Sequence, residues 1–264
     1  MSEMGSFLVM STTVTTIIAA CFGAVIGSFL NVCIYRLPIG TSVVWPSSAC
    51  PSCRRKLAWF ENIPMLSYAV LGGRCRTCRV PISLRYPVVE LLTSLMFAGA
   101  WYYFGPGPLF AARLVLGCAL IVLFAIDLEH HLLPNAITLP GIVVGFAFSL
   151  FTEPGWQASL LGILIGGGSL YAIAEAYFRV RHEEGLGMGD VKMLSMIGAF
   201  LGWKLTVVTL MLASFSGSII GIALIVARRG DMKYALPFGT FLSLGAALAA
   251  TVGPGVLDWY VSLW

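Results

Sequence analysis

The stretch Leu109-Phe110-Ala111-Ala112-Arg113-Leu114-Val115-Leu116-Gly117-Cys118-Ala119-Leu120-Ile121-Val122-Leu123-Phe124-Ala125-Ile126 is almost wholly apolar, and Asp127 follows it at once. At about 1.5 Å per residue, a helix over 109–126 covers about 27 Å, enough to cross a bilayer. Its character is that of the whole chain. Charged residues make up 11% and apolar ones 58%. A soluble domain carries roughly twice that share of charge to keep its surface wet.

Working outward, the other apolar blocks are Thr13–Tyr35, Tyr86–Phe104, Ile137–Phe151, Ala158–Phe178, Val191–Trp203, Leu205–Val226 and Pro237–Val252. They are too long for core strands and predict an all-α polytopic membrane protein of about eight transmembrane helices. The boundary at Gly202-Trp203-Lys204 is the softest. The N-terminal block has no basic n-region and carries Cys21 mid-span, so it reads as a first transmembrane helix and not as a cleaved signal.

The basic residues predict orientation. Between the first two spans lie Arg36, Arg54, Arg55, Lys56, Arg74, Arg76, Arg79 and Arg85, against the single acid Glu61. If that segment is cytosolic, alternation puts the loops after the third, fifth and seventh spans on the same side. The last two of those carry Arg179, Arg181 and Lys192, then Arg228, Arg229 and Lys233. The opposite loops are short and nearly free of bases. The N-terminus is then expected outside, and positive-inside orientation explains the basic loop without any nucleic-acid partner.

Two aspartates stand at helix ends. Asp127 closes the third span in Ala125-Ile126-Asp127-Leu128-Glu129-His130-His131-Leu132-Leu133-Pro134. Asp190 opens the sixth in Gly187-Met188-Gly189-Asp190-Val191-Lys192. The topology puts both at the cytosolic rim, where a carboxylate costs less than at the bilayer centre. Two such groups facing one another would share a proton, one activating water and the other polarising a carbonyl, as in an aspartyl protease. The bland reading is that each Asp caps a helix, and Asp190 suits an N-cap. Finding both on one side, with Gly187 and Gly189 leaving room for a substrate backbone, favours the pair.

A second constellation is Cys50-Pro51-Ser52-Cys53 followed by Cys75-Arg76-Thr77-Cys78. Two C-x-x-C knuckles about twenty residues apart match a four-cysteine zinc site. Four thiolates leave no open position, so the zinc is expected to be structural, in a small zinc-ribbon-like loop domain. In a cytosolic loop the thiols stay reduced. Cys21, Cys33 and Cys118 read as small hydrophobes. Glu129, His130 and His131 read as interfacial groups, Glu90 and Glu175 as cavity-lining or snorkelling carboxylates, and Asn31 as an interhelical hydrogen-bonding residue. A transporter whose carboxylates bind protons is the main rival reading, and it would put more polar residues at mid-span.

With these residues in view, the chain resembles the type IV prepilin peptidases, leader peptidases and N-methyltransferases with G-x-G-D aspartyl sites. The similarity runs from Gly27-Ser28-Phe29-Leu30-Asn31-Val32 and Tyr35-Arg36-Leu37-Pro38, through Glu61-Asn62-Ile63-Pro64-Met65-Leu66-Ser67, to Ile82-Ser83-Leu84-Arg85-Tyr86-Pro87-Val88-Val89-Glu90. It takes in the Cys pairs, the D-x-x-x-x-x-L-P and G-x-G-D-[VI]-K segments, and Pro237-Phe238-Gly239. Tyr68, Gly72 and Thr240 depart from the pattern, which has Trp, a basic residue and Pro there.

The resemblance implies that Asp127 and Asp190 are catalytic, with Gly187, Gly189, Lys192, Pro237, Phe238 and Gly239 in support. It implies cleavage after a glycine, between the basic leader and the hydrophobic helix of a prepilin or pseudopilin. Methylation of the new N-terminus from S-adenosylmethionine would follow, with Glu61, Asn62, Gly73 and Arg74 as candidates for that step. The expected division is 1–35 for the first helix, 36–85 for the methylation-associated zinc loop and 86–264 for the peptidase domain. The expected location is the bacterial inner membrane, in contact with lipid.

Overall fold

The structure, a computed structural model, describes residues 2–182, 187–227 and 236–262, with side chains from residue 12 onward except 260–261. Arg228, Arg229 and Lys233 lie outside the described residues. The chain divides into two compact units, Met1–Leu114 and Val115–Trp264.

In the first unit α1 (Ser2–Arg36) packs on α3 (Arg85–Phe104), with the loop between them holding the short α2 (Leu66–Val70). Small residues let the two long helices meet closely. A Cβ added at Gly27 would lie 2.7 Å from the Glu90 Cα, and one at Gly23 would lie 2.8 Å from the Thr93 carbonyl. Polar side chains tie the seam. The Asn31 amide donates to the Tyr86 carbonyl at 3.1 Å, Ser94 to the Ala20 carbonyl at 2.8 Å and the Trp101 indole to Thr15 Oγ1 at 3.0 Å. The outward face of α1 exposes Ile17, Ile18, Phe22, Val25 and Phe29. A surface so apolar suits lipid.

The second unit is built on α4 (Pro108–His130, which begins in the first), α5 (Asn135–Ser149), α6 (Trp156–Arg181), α7 (Met188–Ala227), α8 (Phe238–Thr251) and α9 (Gly253–Val261). Its apolar interior carries a few hydroxyls: Thr138, Thr206 and Thr209 are buried and each bonded to the carbonyl four residues back. The helix α7 is interrupted at Gly202, whose φ of 73° is open to glycine and strained for other residues. A side chain there would also meet Pro154 at 2.9 Å.

The glycine contacts fix the course of the chain. Gly141 and Gly145 of α5 meet Met196 and Phe200, so α5 runs alongside the first part of α7 in the same direction. Gly162 meets Gly198 backbone to backbone and Gly166 meets the Leu194 carbonyl, so α6 runs opposite to it. Beyond Gly202 the chain returns. Gly253 lies against Leu205, Gly245 against the Thr209 carbonyl and Gly217 against Phe241, which makes the second part of α7 antiparallel to α8. The break therefore separates an outgoing from a returning helix, at the boundary the sequence marked as softest. The C-terminal ends of α4, α6 and the second part of α7 share one end of this unit, and the 150–155 loop and Gly202 share the other.

About eight transmembrane helices were expected, and all eight apolar blocks are helical over nearly their full lengths. Among the described residues, four helices are each long and apolar enough to cross a membrane; the bent pair of α8 and α9, meeting at 60°, makes a fifth if it crosses as one. Three features keep this number below eight. The helix α3 has 20 residues but is not apolar enough to count among them. The helix α5 has only 15 residues, and α7 joins two expected spans in one run.

Candidate active site

Asp127 lies near the C-terminal end of α4 and is only 5% exposed. Its Oδ2 accepts the Thr240 backbone N–H at 2.6 Å and the Thr240 hydroxyl at 3.1 Å. Thr240 is the third residue of α8, and first-turn N–H groups have no partner inside their own helix. Asp127 thus caps a helix whose sequence lies more than a hundred residues away. The anion-favouring end of the α8 dipole faces it.

Asp190 is the third residue of α7 and half-buried. Its N–H donates to the Gly187 carbonyl at 3.1 Å, and its carboxylate takes a backbone hydrogen bond from Gly187 in return. This is the third-position half of a capping box. The expectation of an N-cap is corrected by three residues, since α7 begins at Met188 and Gly187 holds the cap position.

The two carboxylates interact electrostatically, and Asp127 also interacts with His131. Leu133 joins the segments that carry them. A Cβ at Gly189 would come within 3.0 Å of Leu133 Cβ, and one at Gly239 would come within 2.9 Å of the Leu133 methyls and 3.0 Å of Asp127 Oδ2. Gly189 and Gly239 are small because the Leu133 side chain fills the space beside them. Pro237 is the N-cap of α8 and Phe238 its first residue. Lys192 donates to Asn135 Oδ1 at 2.9 Å, fastening the start of α7 to the start of α5. His131 adopts φ 51° and turns the chain out of α4, its N–H bonded to the Asp127 carbonyl at 2.9 Å. His130 lies 3.9 Å from Glu129, and both are exposed.

In the first unit the four cysteines come together, with all four sulfurs within 4.8 Å of one another and Cys50 3.7 Å from Cys78. A tetrahedral site with zinc–sulfur bonds of about 2.3 Å has sulfur–sulfur edges of about 3.8 Å. The two knuckles repeat one geometry. The Cys50 N–H bonds the Arg55 carbonyl and the Arg54 N–H bonds the Cys50 carbonyl; Cys75, Val80 and Arg79 do the same in the second knuckle. Arg54 and Arg79 both take left-handed φ, 57° and 60°. Each knuckle is closed by one antiparallel bridge, Ala49 with Lys56 and Arg74 with Pro81. Backbone N–H groups, first that of Cys78 and then that of Thr77, pull the Cys75 thiol down to about 6. The Cys53 N–H lowers Cys50 in the same way. Cys50 and Cys75 thus have surroundings for thiolates, the form that binds metal, whereas Cys53, despite the Arg55 N–H, is pushed up to about 11 by desolvation and the neighbouring thiols.

Of the methylation candidates, Glu61 is committed. One oxygen receives Arg55 at 2.6 Å and the other the Ala58 N–H at 2.8 Å. The Arg55 guanidinium, with the Ala58 N–H second, holds the Glu61 carboxyl below the usual range. Asn62 and Arg74 are exposed, and Gly73 sits at φ 66° against the Tyr68 ring. Glu90 does not snorkel. It is buried and receives the Met65 N–H at 2.7 Å, tying the loop to α3. Glu175 pairs with Arg179 at 2.7 Å on the surface of α6.

Sequence reasoning missed Thr240 as the partner of Asp127 and Glu90 as the partner of Met65. The only signal for the first was that Thr240 departs from the family pattern; nothing local signals the second.

A multi-helix membrane bundle with two interacting aspartates at helix ends, preceded by a unit with a four-cysteine cluster, defines a recognisable class. Residues 21–104 match the Bacterial Peptidase A24 N-terminal domain, and residues 114–222 match the Type IV leader peptidase family. The chain is 35% identical over 278 residues to a prepilin leader peptidase/N-methyltransferase of Burkholderia pseudomallei, covering 95% of this chain and 89% of that protein. It is 36% identical to the protein of the same name from Aeromonas hydrophila, covering 91% and 92%. With that from Pseudomonas aeruginosa the identity is 33%, covering 90% and 91%. No solved structure matches. The chain belongs to the type IV leader peptidase family.

Proposed function

We propose that this chain removes the basic leader of type IV prepilins or pseudopilins after a glycine, with Asp127 and Asp190 as the catalytic pair, and methylates the new N-terminus. The observation that carries the peptidase half is the arrival of both carboxylates, from α4 and α7, at one end of one unit and within electrostatic reach. A water held between them loses a proton to the ionised carboxylate and attacks the scissile carbonyl, which the protonated one polarises. The tetrahedral intermediate collapses as the leaving amine takes a proton from the pair. Low dielectric at the helix ends strengthens each of these interactions.

The site end is read as the cytosolic face of a bacterial inner membrane, because Arg179, Arg181 and Lys192 flank it in sequence and two crossings, α3 and α4, return the chain from the basic 36–85 segment to the same side. Eight crossings fit this reading, with α5 and the first part of α7 as short spans flanking one another and Gly202 at the outer face. A basic leader stays in the cytosol while its hydrophobic helix enters lipid, and the scissile bond lies level with the carboxylates.

Residues 1–35 form the first span, 36–85 the methylation loop and 86–264 the peptidase domain. The cysteine cluster fits a structural zinc ion, held by Cys50, Cys53, Cys75 and Cys78. For the methyl donor, S-adenosylmethionine, the exposed Arg74 and Asn62 fit as partners of its carboxylate and polar groups, with Gly73 shaping the turn beside them. Glu61 does not fit as a direct contact, since both its oxygens are engaged; it holds the loop that presents the others. The donor supplies an electrophilic methyl group, which the free amine of the cleaved product accepts.

Replacing Asp127 or Asp190 with Asn is expected to abolish cleavage of a prepilin by purified enzyme while membrane insertion persists. Product mass in the presence of a labelled methyl donor reads both halves at once. Cleavage surviving in either variant removes that residue from the pair.

A further inference from the structure

Thr240 stands apart from every residue so far given a role in the chemistry. It gives both of its polar hydrogens to Asp127 Oδ2. It is 6% exposed, and its own helix cannot use its N–H. A single donor would leave the carboxylate free to pivot about that contact. Two donors from one rigid, β-branched residue at the start of a 14-residue helix fix the plane of the carboxylate as well as its place. Both bonds fall on Oδ2, which leaves Oδ1 to meet water.

We propose that Thr240 is a positioning residue of the peptidase site, holding the Asp127 carboxylate so that Oδ1 faces the hydrolytic water. It acts through Asp127 without touching substrate, so its effect is on the chemical step and not on peptide binding. The proposal rests on Asp127 being catalytic.

Two substitutions test the hydroxyl. Thr240→Val keeps the shape and the N–H but removes the hydroxyl. Thr240→Ser restores the hydroxyl. Hydrogen bonds to a charged acceptor are the strong ones, so Thr240→Val is expected to lower kcat for prepilin cleavage about tenfold with KM unchanged. Thr240→Ser is expected to recover most of the rate.

Methyl transfer to an already cleaved pilin peptide, which bypasses the aspartates, is measured on the same preparations and is expected to stay at the wild-type rate. The proposal is overturned by a wild-type kcat in Thr240→Val, by a change confined to KM, or by a parallel fall in methyl transfer, which would mark a general folding defect. Asp127→Asn run alongside tells the two layers apart. If it still cleaves, the catalytic reading of Asp127 has failed; if it is dead while Thr240→Val is normal, only the role of Thr240 has failed.

Discussion

Gly239→Ala is a one-methyl test of the site. Gly239 is the second residue of α8, and its φ is not in the left-handed region. Alanine therefore suits its backbone and by propensity favours the helix, by up to about 1 kcal/mol in a helix interior and less at an end. The added methyl would lie 2.9 Å from both Leu133 methyls and 3.0 Å from Asp127 Oδ2. Contacts that short oblige the neighbours to give by a few tenths of an ångström. The Leu133 methyls are the far end of a flexible side chain and can rotate away. Asp127 Oδ2 cannot do so freely, because Thr240 holds it at 2.6 Å.

A catalytic group misplaced by about 1 Å can lose about a hundredfold in rate. A displacement of a few tenths is therefore expected to lower kcat on the order of tenfold, with KM and thermal stability near wild type. The assay is steady-state cleavage of a prepilin in detergent or liposomes, beside a thermal unfolding curve. Adding Leu133→Ala makes a double-mutant cycle. If the Leu133 contact were the cause, the second change would restore the rate; pressure on Oδ2 predicts no restoration. A Gly239→Ala enzyme with full kcat would refute the reasoning that the Oδ2 position matters.

Three other outcomes follow from the same geometry. Cys50→Ser should lower the zinc bound to purified protein, read by elemental analysis, and loosen the loop to protease, because a metal supplies much of the folding free energy of such small sites. Glu61, whose carboxyl is held low by Arg55, stabilises the loop fully above the ordinary glutamate value of about 4.3 and loses that contribution as pH falls through its lowered folded value; Glu61→Gln should flatten this acid limb in hydrogen exchange of residues 54–62, and an unchanged limb would exclude the pair as its source. Gly198→Ala would drive a methyl into the Gly162 carbonyl, a backbone atom that cannot turn aside, so it should destabilise the α6–α7 contact by about 1–3 kcal/mol and reduce cleavage because α7 carries Asp190.

Periodicity and charge reveal what is local. Apolar runs located every long helix, since a bilayer demands unbroken hydrogen-bonded backbone and a minimum length, but not the short α2 and α9. The Gly202 break was visible as a weak boundary because glycine and lysine interrupt the apolar run there. The cysteine cluster was legible because two short knuckles carry their own turn geometry, each with a left-handed arginine after its second cysteine. Pairings across distance were not legible. Asp127 and Thr240 are joined by helix packing, and no pattern in either segment names the other. Glu90 is the same case: its position in an apolar run marked it as unusual, but its partner is the backbone N–H of Met65, a group every residue but proline carries. Glu61 shows a third limit, for a motif can mark a residue without telling whether its side chain faces a ligand or its own loop.

The placement of the aspartates follows from where a membrane helix bundle can hold polar chemistry. Within a helix every backbone group is used, and an ionisable side chain there finds few partners. At helix ends the first N–H groups and last carbonyls are free, and both aspartates use them. Asp127 takes the Thr240 N–H of α8, and Asp190 exchanges bonds with Gly187 at the start of α7. Each carboxylate is thus fixed by backbone donors that its surroundings already had to satisfy, which limits the extra polar groups the site must bury. Three helix ends must then meet at one level, and that requires glycine-lined seams tight enough to set helix height. Gly162 on Gly198, Gly166 on Leu194 and Gly245 on Thr209 are such seams. Their effect on catalysis should therefore be large for residues so far from the carboxylates, and it should act through the heights of α7 and α8 and not through any contact with substrate.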